Sequence, residues 1–226
     1  MELREVMRTT AAIRAFTDEP VGDDRLARVL EAARFAPSGG NRQPWRVVVV
    51  TEPGLRAEIA RCYQLSWREY TAHLAGGLVP FAPDETGRWE GPAVDLEAAR
   101  ATPAPNDFAD NLASVPVMLV VFAHLPSLAV LDNGLRRQSI VGGGSIYPFT
   151  HNILLAARNE GLGGVMTTVI CRQEDKMREL LGASPSLALA GLVALGVPVH
   201  QPTRLRRRQV AEFTTRERLD GPAFGP

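Results

Sequence analysis

Several things are scarce in this chain, and each scarcity removes a class of function. Only two cysteines, Cys62 and Cys171, occur among 226 residues. They are far apart and form no Cys-x-x-Cys pair, so neither a disulfide framework nor a thiol redox motif is expected. The four histidines, at 73, 124, 151 and 200, lack ligand spacing and gather no cysteine or carboxylate cluster, so no metal centre is expected. Net charge is missing too: 25 basic side chains balance 25 acidic ones, which argues against nucleic acid or an anionic membrane as partner. The longest apolar run, residues 115–123, falls well short of a bilayer span. The charged start, Met1-Glu2-Leu3-Arg4-Glu5, has no apolar signal region behind it, so a cytoplasmic protein is expected. Neither Gly-x-Gly-x-x-Gly after a strand nor Gly-x-Ser-x-Gly around Ser38 or Ser145 occurs, which leaves little for a Rossmann site or a serine hydrolase.

What is present suffices for one sizeable domain over residues 1–226, with a hydrophobic fraction of 45% to build its core. Leu3, Val6 and Met7 start a helical pattern. A second runs through Leu26, Val29, Leu30, Ala33 and Ala36, with Asp23 or Asp24 as cap and Pro37 as stop. The valine-rich run from Trp45 to Thr51 reads as a strand buried on both faces. Pro53 opens a long helix carrying Leu55, Ile59, Tyr63, Trp67, Tyr70 and Leu74. Pro116 to Phe122 is a second buried strand, and Ser145 to Glu160 a helix ended by glycines. Val165 to Ile170, Glu174 to Leu181 and Ala188 to Val197 follow as strand, helix and strand. Interleaved strands and helices imply an α+β domain, a mixed central sheet flanked by helices. Residues 76–111 carry many prolines and glycines but little periodicity. They read as a lid, a mobile wall of a substrate pocket, with a plain solvent loop as the competing reading.

The most specific stretch is Ala36-Pro37-Ser38-Gly39-Gly40-Asn41-Arg42-Gln43-Pro44-Trp45, between a helix and a strand. Amide side chains at Asn41 and Gln43 offer both donors and acceptors, as the edge of a flavin pyrimidine requires. Gly39 and Gly40 permit positive φ and close approach of the backbone. Pro37 to Gly40 alone would also serve as a helix-stopping turn. Together with Asn41, Gln43, Pro44 and Trp45, the segment resembles the Pro-Ser-x-x-Asn-x-Gln-Pro-Trp motif of the flavin-dependent nitroreductase superfamily, every fixed position being filled. Residues 13–21 are similar to that family's Arg-x-Phe-x-x-x-Pro-Val entry, and residues 142–163 to its central helix and exit loop.

The resemblance implies an intertwined homodimer with FMN at its interface, residues 198–226 crossing to the partner subunit. It implies ping-pong transfer of hydride from NADH or NADPH, through flavin N5, to an electron-poor acceptor such as a nitroaromatic or quinone. Related folds carry out reductive dehalogenation or azoline-type dehydrogenation, and a flavin-fold binding protein without turnover is a further reading. The implied cofactor contacts are Arg14, Pro37, Ser38, Gly39, Asn41, Gln43, Met166, Thr167, Thr168 and Arg207, with no catalytic side chain required. Arg14 would sit at the N1/C2=O edge, although an ion pair with Asp18 or Glu19 is also open to it. Thr167 and Thr168, with Thr168 as the candidate bond to N5, would otherwise be ordinary strand residues. Thr10, Ala11 and Ala12 depart from the family pattern, standing where basic residues and a serine usually hold the flavin phosphate. Arg204, Arg206, Arg207 and Arg208 offer a replacement, Arg207 matching best by position, against the alternative of a solvated charged face.

Overall fold

The computed structural model describes residues 1–225. Helix α1 spans Leu3–Thr9 and α2 Asp23–Ala33. Strand β1 is Trp45–Val50, and the long helix α3 is Pro53–Ala75. Two short helices follow, α4 over Leu96–Ala101 and α5 over Asp107–Asp110. Strand β2 covers Val117–His124, α6 Tyr147–Asn159, β3 Gly163–Thr167, α7 Glu174–Leu181 and β4 Leu187–Gly196.

The strands form one sheet in the order β1-β2-β4-β3, each neighbouring pair antiparallel. A parallel contact enters at an isolated bridge between Ala12 and Gly164. Side chains alternate across a strand with period two, and β2 uses both faces. Met118, Val120 and Phe122 pack with Ile59 and Tyr63 of α3; Leu119 and Val121 pack with Val29 of α2 and Ile153 of α6. That explains why β2 reads as an unbroken apolar run, since a strand covered on both sides has no polar face.

The same reasoning fails for β1. Its valines also suggested burial on both faces, yet Arg46 and Val49 are exposed, because β1 is an edge strand with only β2 beside it. At α2 the N-cap is Gly22, not an aspartate; Asp23 and Asp24 lie in the first turn, where carboxylates complement the helix dipole without capping it. The strand expected to reach Ile170 ends at Thr167, and Val169–Gln173 coils into a 3-10 turn.

Residues 76–111 hold the two short helices, capped by Asp95 and Asn106 side chains. Phe81 and Trp89 meet edge to face at 5.3 Å, and both pack on His73 of α3. Arg172 joins this segment to the body. Its guanidinium lies 4.8 Å from the centre of the Trp89 ring, and it bonds both oxygens of the buried Glu69 carboxylate, Nε standing 3.1 and 3.2 Å from them.

Candidate functional site

The loop before β1 is held in an unusual backbone. Gly40, Asn41 and Gln43 have φ of 61°, 53° and 47°, the left-handed region that side chains other than Asn and Asp seldom occupy. Gly39, expected to share that conformation, is absent from it; its role is close approach, since a Cβ there would stand 2.6 Å from the Ala129 Cβ. Three hydrogen bonds fix the loop. The Gly39 amide donates to Ser145 Oγ at 3.0 Å, the Gln43 amide to Ser38 Oγ at 3.0 Å, and Gln43 Nε2 to Asn41 Oδ1 at 3.1 Å. The last bond leaves Asn41 Nδ2 as a donor and Gln43 Oε1 as an acceptor for a ligand. Both side chains are exposed. Behind them Trp45 stacks on Phe149 with ring centres 4.7 Å apart, so the loop is anchored to α6 as well as to the sheet. Ser145 is the residue that sequence reasoning undervalued here, having been considered only as a nucleophile.

A second group gathers at the other edge of the sheet. The Ile13 amide donates to Gly164 O at 2.9 Å, which lays residues 12–14 beside β3. Gly163 permits this close approach, because a Cβ there would stand 2.7 Å from Ile13 Cγ1. Arg14 is exposed and, among the described residues, makes no ion pair; Glu19, its expected alternative partner, instead meets Arg25 at 3.6 Å. Thr167 Oγ1 donates to the Tyr63 hydroxyl at 3.4 Å. Burial pushes the Tyr63 phenol up, while the Thr167 bond and the nearby Arg14 charge pull it back. Tyr63 is a site neighbour that its helical spacing had marked only as core. Met166 is half-buried and Thr168 exposed.

Arg14, Met166 and Thr167 thus come together, but Ser38, Asn41 and Gln43 do not join them. Thr167 pairs with Leu192 on β4, Leu192 with Val120 on β2, and Val120 with Val48 on β1. Three strand spacings, about 14 Å, therefore separate Thr167 from β1 before any displacement along the strand. Within one chain the segment carrying Arg14 therefore lies along one edge of the sheet and the loop carrying Asn41 leads into the strand at the opposite edge. Arg207 belongs to a third place: with Arg8, Arg204, Arg206 and Arg208 it lines a cavity of about 510 Å³ at the end of α1. Gln201 Nε2 ties this tail to Thr9 O at 2.8 Å.

Comparison with known sequences decides the family. The profile described as Nitroreductase family matches residues 7–197. The chain belongs to the nitroreductase family.

Among curated members, this family member is 27% identical over 196 residues to 5,6-dimethylbenzimidazole synthase of Rhodobacter capsulatus, spanning 87% of this chain and 83% of that protein. It is 25% identical over 199 residues to a putative NADH dehydrogenase/NAD(P)H nitroreductase of Archaeoglobus fulgidus, spanning 87% and 86%. Among solved structures, oxidised iodotyrosine deiodinase bound to FMN and 3-iodo-L-tyrosine superposes with a TM-score of 0.65 at 22% identity, covering 92% of this chain and 96% of that one. Relatives of similar distance thus bear names of different chemistries. The α+β nitroreductase-like fold and membership of an oxidoreductase family are common ground.

Proposed function

We propose that this chain is an FMN-dependent oxidoreductase that takes hydride from NADH or NADPH and passes it to an electron-poor acceptor, a nitroaromatic or a quinone, in ping-pong order. The observation that carries the reading is the loop from Ser38 to Gln43. Left-handed backbone at Asn41 and Gln43 is costly, and here it exposes a free amide donor and acceptor beside small residues. Such a donor set fits the alternating edge of an isoalloxazine.

Arg14, Pro37, Ser38, Gly39, Asn41, Gln43, Met166, Thr167, Thr168 and Arg207 would hold the cofactor. When bound, FMN supplies a two-electron carrier for hydride. Arg14, free of a carboxylate partner, provides fixed positive charge for an anionic ring edge. The Thr168 hydroxyl can donate a hydrogen bond to a ring nitrogen. Thr167 keeps its hydroxyl on Tyr63, so of the two threonines Thr168 is the better donor. No side chain of this group need act as an acid or base.

The separation of the two groups favours a homodimer in which one chain brings Arg14 and Thr168 and the other brings Asn41 and Gln43. Residues 198–226 would extend over the partner and residues 76–111 would close the substrate side. No helix among the described residues is long and apolar enough to cross a membrane, which suits the proposed cytoplasmic setting.

The test is direct. Protein reconstituted with FMN, kept anaerobic and mixed with NADH or NADPH, is expected to bleach at the flavin absorbance maximum and regain colour on addition of a nitroaromatic or quinone. Absence of bleaching with both donors would overturn the redox reading. Bleaching without recovery would overturn the proposed acceptors.

A further inference from the structure

The arginine cavity holds more positive charge than one flavin phosphate needs. Arg8, on α1, and Arg204, Arg206, Arg207 and Arg208, on the tail, line a single concavity of about 510 Å³ with no acidic residue in its wall. None of the five is in an ion pair among the described residues. Five like charges in one hollow repel one another, in a chain whose total charge is zero, unless an anion joins them. A phosphomonoester carries roughly two negative charges at neutral pH. FMN has one such group, so it would leave about three of the five cations unmatched. A nicotinamide dinucleotide with a 2′-phosphate adds about four negative charges, two on that phosphate and two on the pyrophosphate.

Exposure points the same way. All five arginines are exposed, so contact with an anion costs them little desolvation, which suits a ligand that arrives and departs in every turnover. A bidentate guanidinium also matches the geometry of a phosphate.

We propose that this cavity binds the 2′-phosphate of the electron donor and so selects NADPH over NADH. The inference rests on the oxidoreductase reading above and deepens it. Arg207, whose Nη1 already bonds Arg206 O at 2.7 Å, remains the contact assigned to the flavin phosphate. The surplus charge lies among Arg8, Arg204, Arg206 and Arg208.

Calorimetry on FMN-loaded protein measures NADP⁺ against NAD⁺ without turnover. NADP⁺ is expected to bind at least about 10-fold more tightly, charge-assisted bonds being the strong ones. The Arg206→Gln, Arg208→Gln double variant should bring the two affinities within about 3-fold. Arg8→Gln, on a different element, should lower the preference in the same direction and covers the case in which the double variant fails to fold. A parallel titration of flavin-free protein with FMN and riboflavin separates the two phosphate sources. The preference for FMN over riboflavin should survive in these variants. Equal binding of NAD⁺ and NADP⁺ by the unaltered protein would overturn the proposal. So would a preference for NADP⁺ that persists in the variants, or a loss confined to the FMN preference, which would give these cations to the flavin. None of these outcomes touches the bleaching test: flavin reduced equally by NADH and NADPH would sink the selectivity and leave the redox reading standing.

Discussion

Replacing Arg172 by methionine tests how residues 76–111 are attached. Glu69 has a side chain 6% exposed and that of Arg172 is 34% exposed. Removing the cation leaves a buried carboxylate without its counter-charge. Breaking a fully buried pair costs about 3–5 kcal/mol; with Arg172 one-third exposed, the lower end, about 3 kcal/mol, is the better figure. Loss of the contact with Trp89 adds about 0.5–1 kcal/mol. At roughly 2–4 °C per kcal/mol for a chain of this size, the thermal midpoint should fall by about 7–16 °C. Glu69→Gln made together with Arg172→Met removes the stranded charge, so the double variant should regain at least about 1 kcal/mol over the single one. Trp89 should lose its stacked environment in both, and limited proteolysis within residues 76–111 should accelerate. Urea unfolding of the four proteins closes the cycle. A single variant with an unchanged midpoint, or a double variant no more stable than Arg172→Met, would refute the reasoning.

Two further outcomes follow from the loop geometry. Gly39→Ala drives a methyl into Ala129, so the loop must move off Ser145; FMN affinity should weaken by about 10-fold or more while stability falls by only about 1–3 kcal/mol, as flavin titration and urea melts will show. Asp132 accepts bonds from the Ile140 amide, the Arg137 guanidinium and the Ser139 hydroxyl, which hold its carboxyl well below the usual carboxylate range. With the folded value below the unfolded one of about 3.9, its stabilisation is complete above that pH and disappears as pH falls through the folded value. Asp132→Asn should therefore be less stable than the unaltered protein near neutrality, and the gap in urea midpoint should narrow in acid.

Much of the architecture was readable because local and long-range preferences agree. Val117 to Phe122 forms a covered strand because both faces are apolar, and Pro53 begins α3 where its missing amide is no loss. Trp45 to Val50 misled because an apolar run reports hydrophobicity, not how many neighbours the strand has; being an edge is decided by the order of strands. The loop proposed to face the flavin stood out in the sequence through Asn41, Gln43 and Pro44 at fixed offsets. Its distance from Arg14 was not, since that depends on β1 and β3 occupying opposite edges of the sheet. The role of Tyr63 was hidden for a similar reason. A tyrosine at a core position of a helix looks like any apolar residue until its hydroxyl meets that of Thr167 on β3.

The opposite edges also bear on inheritance. On the proposed two-chain arrangement, a chain altered at Arg14 and a chain altered at Asn41 each build only defective sites when paired with themselves. Paired with each other, they assemble one site carrying both lesions and one carrying neither. Two null alleles of this gene would then complement in a mixed population, whereas two alleles altered in the same half would not.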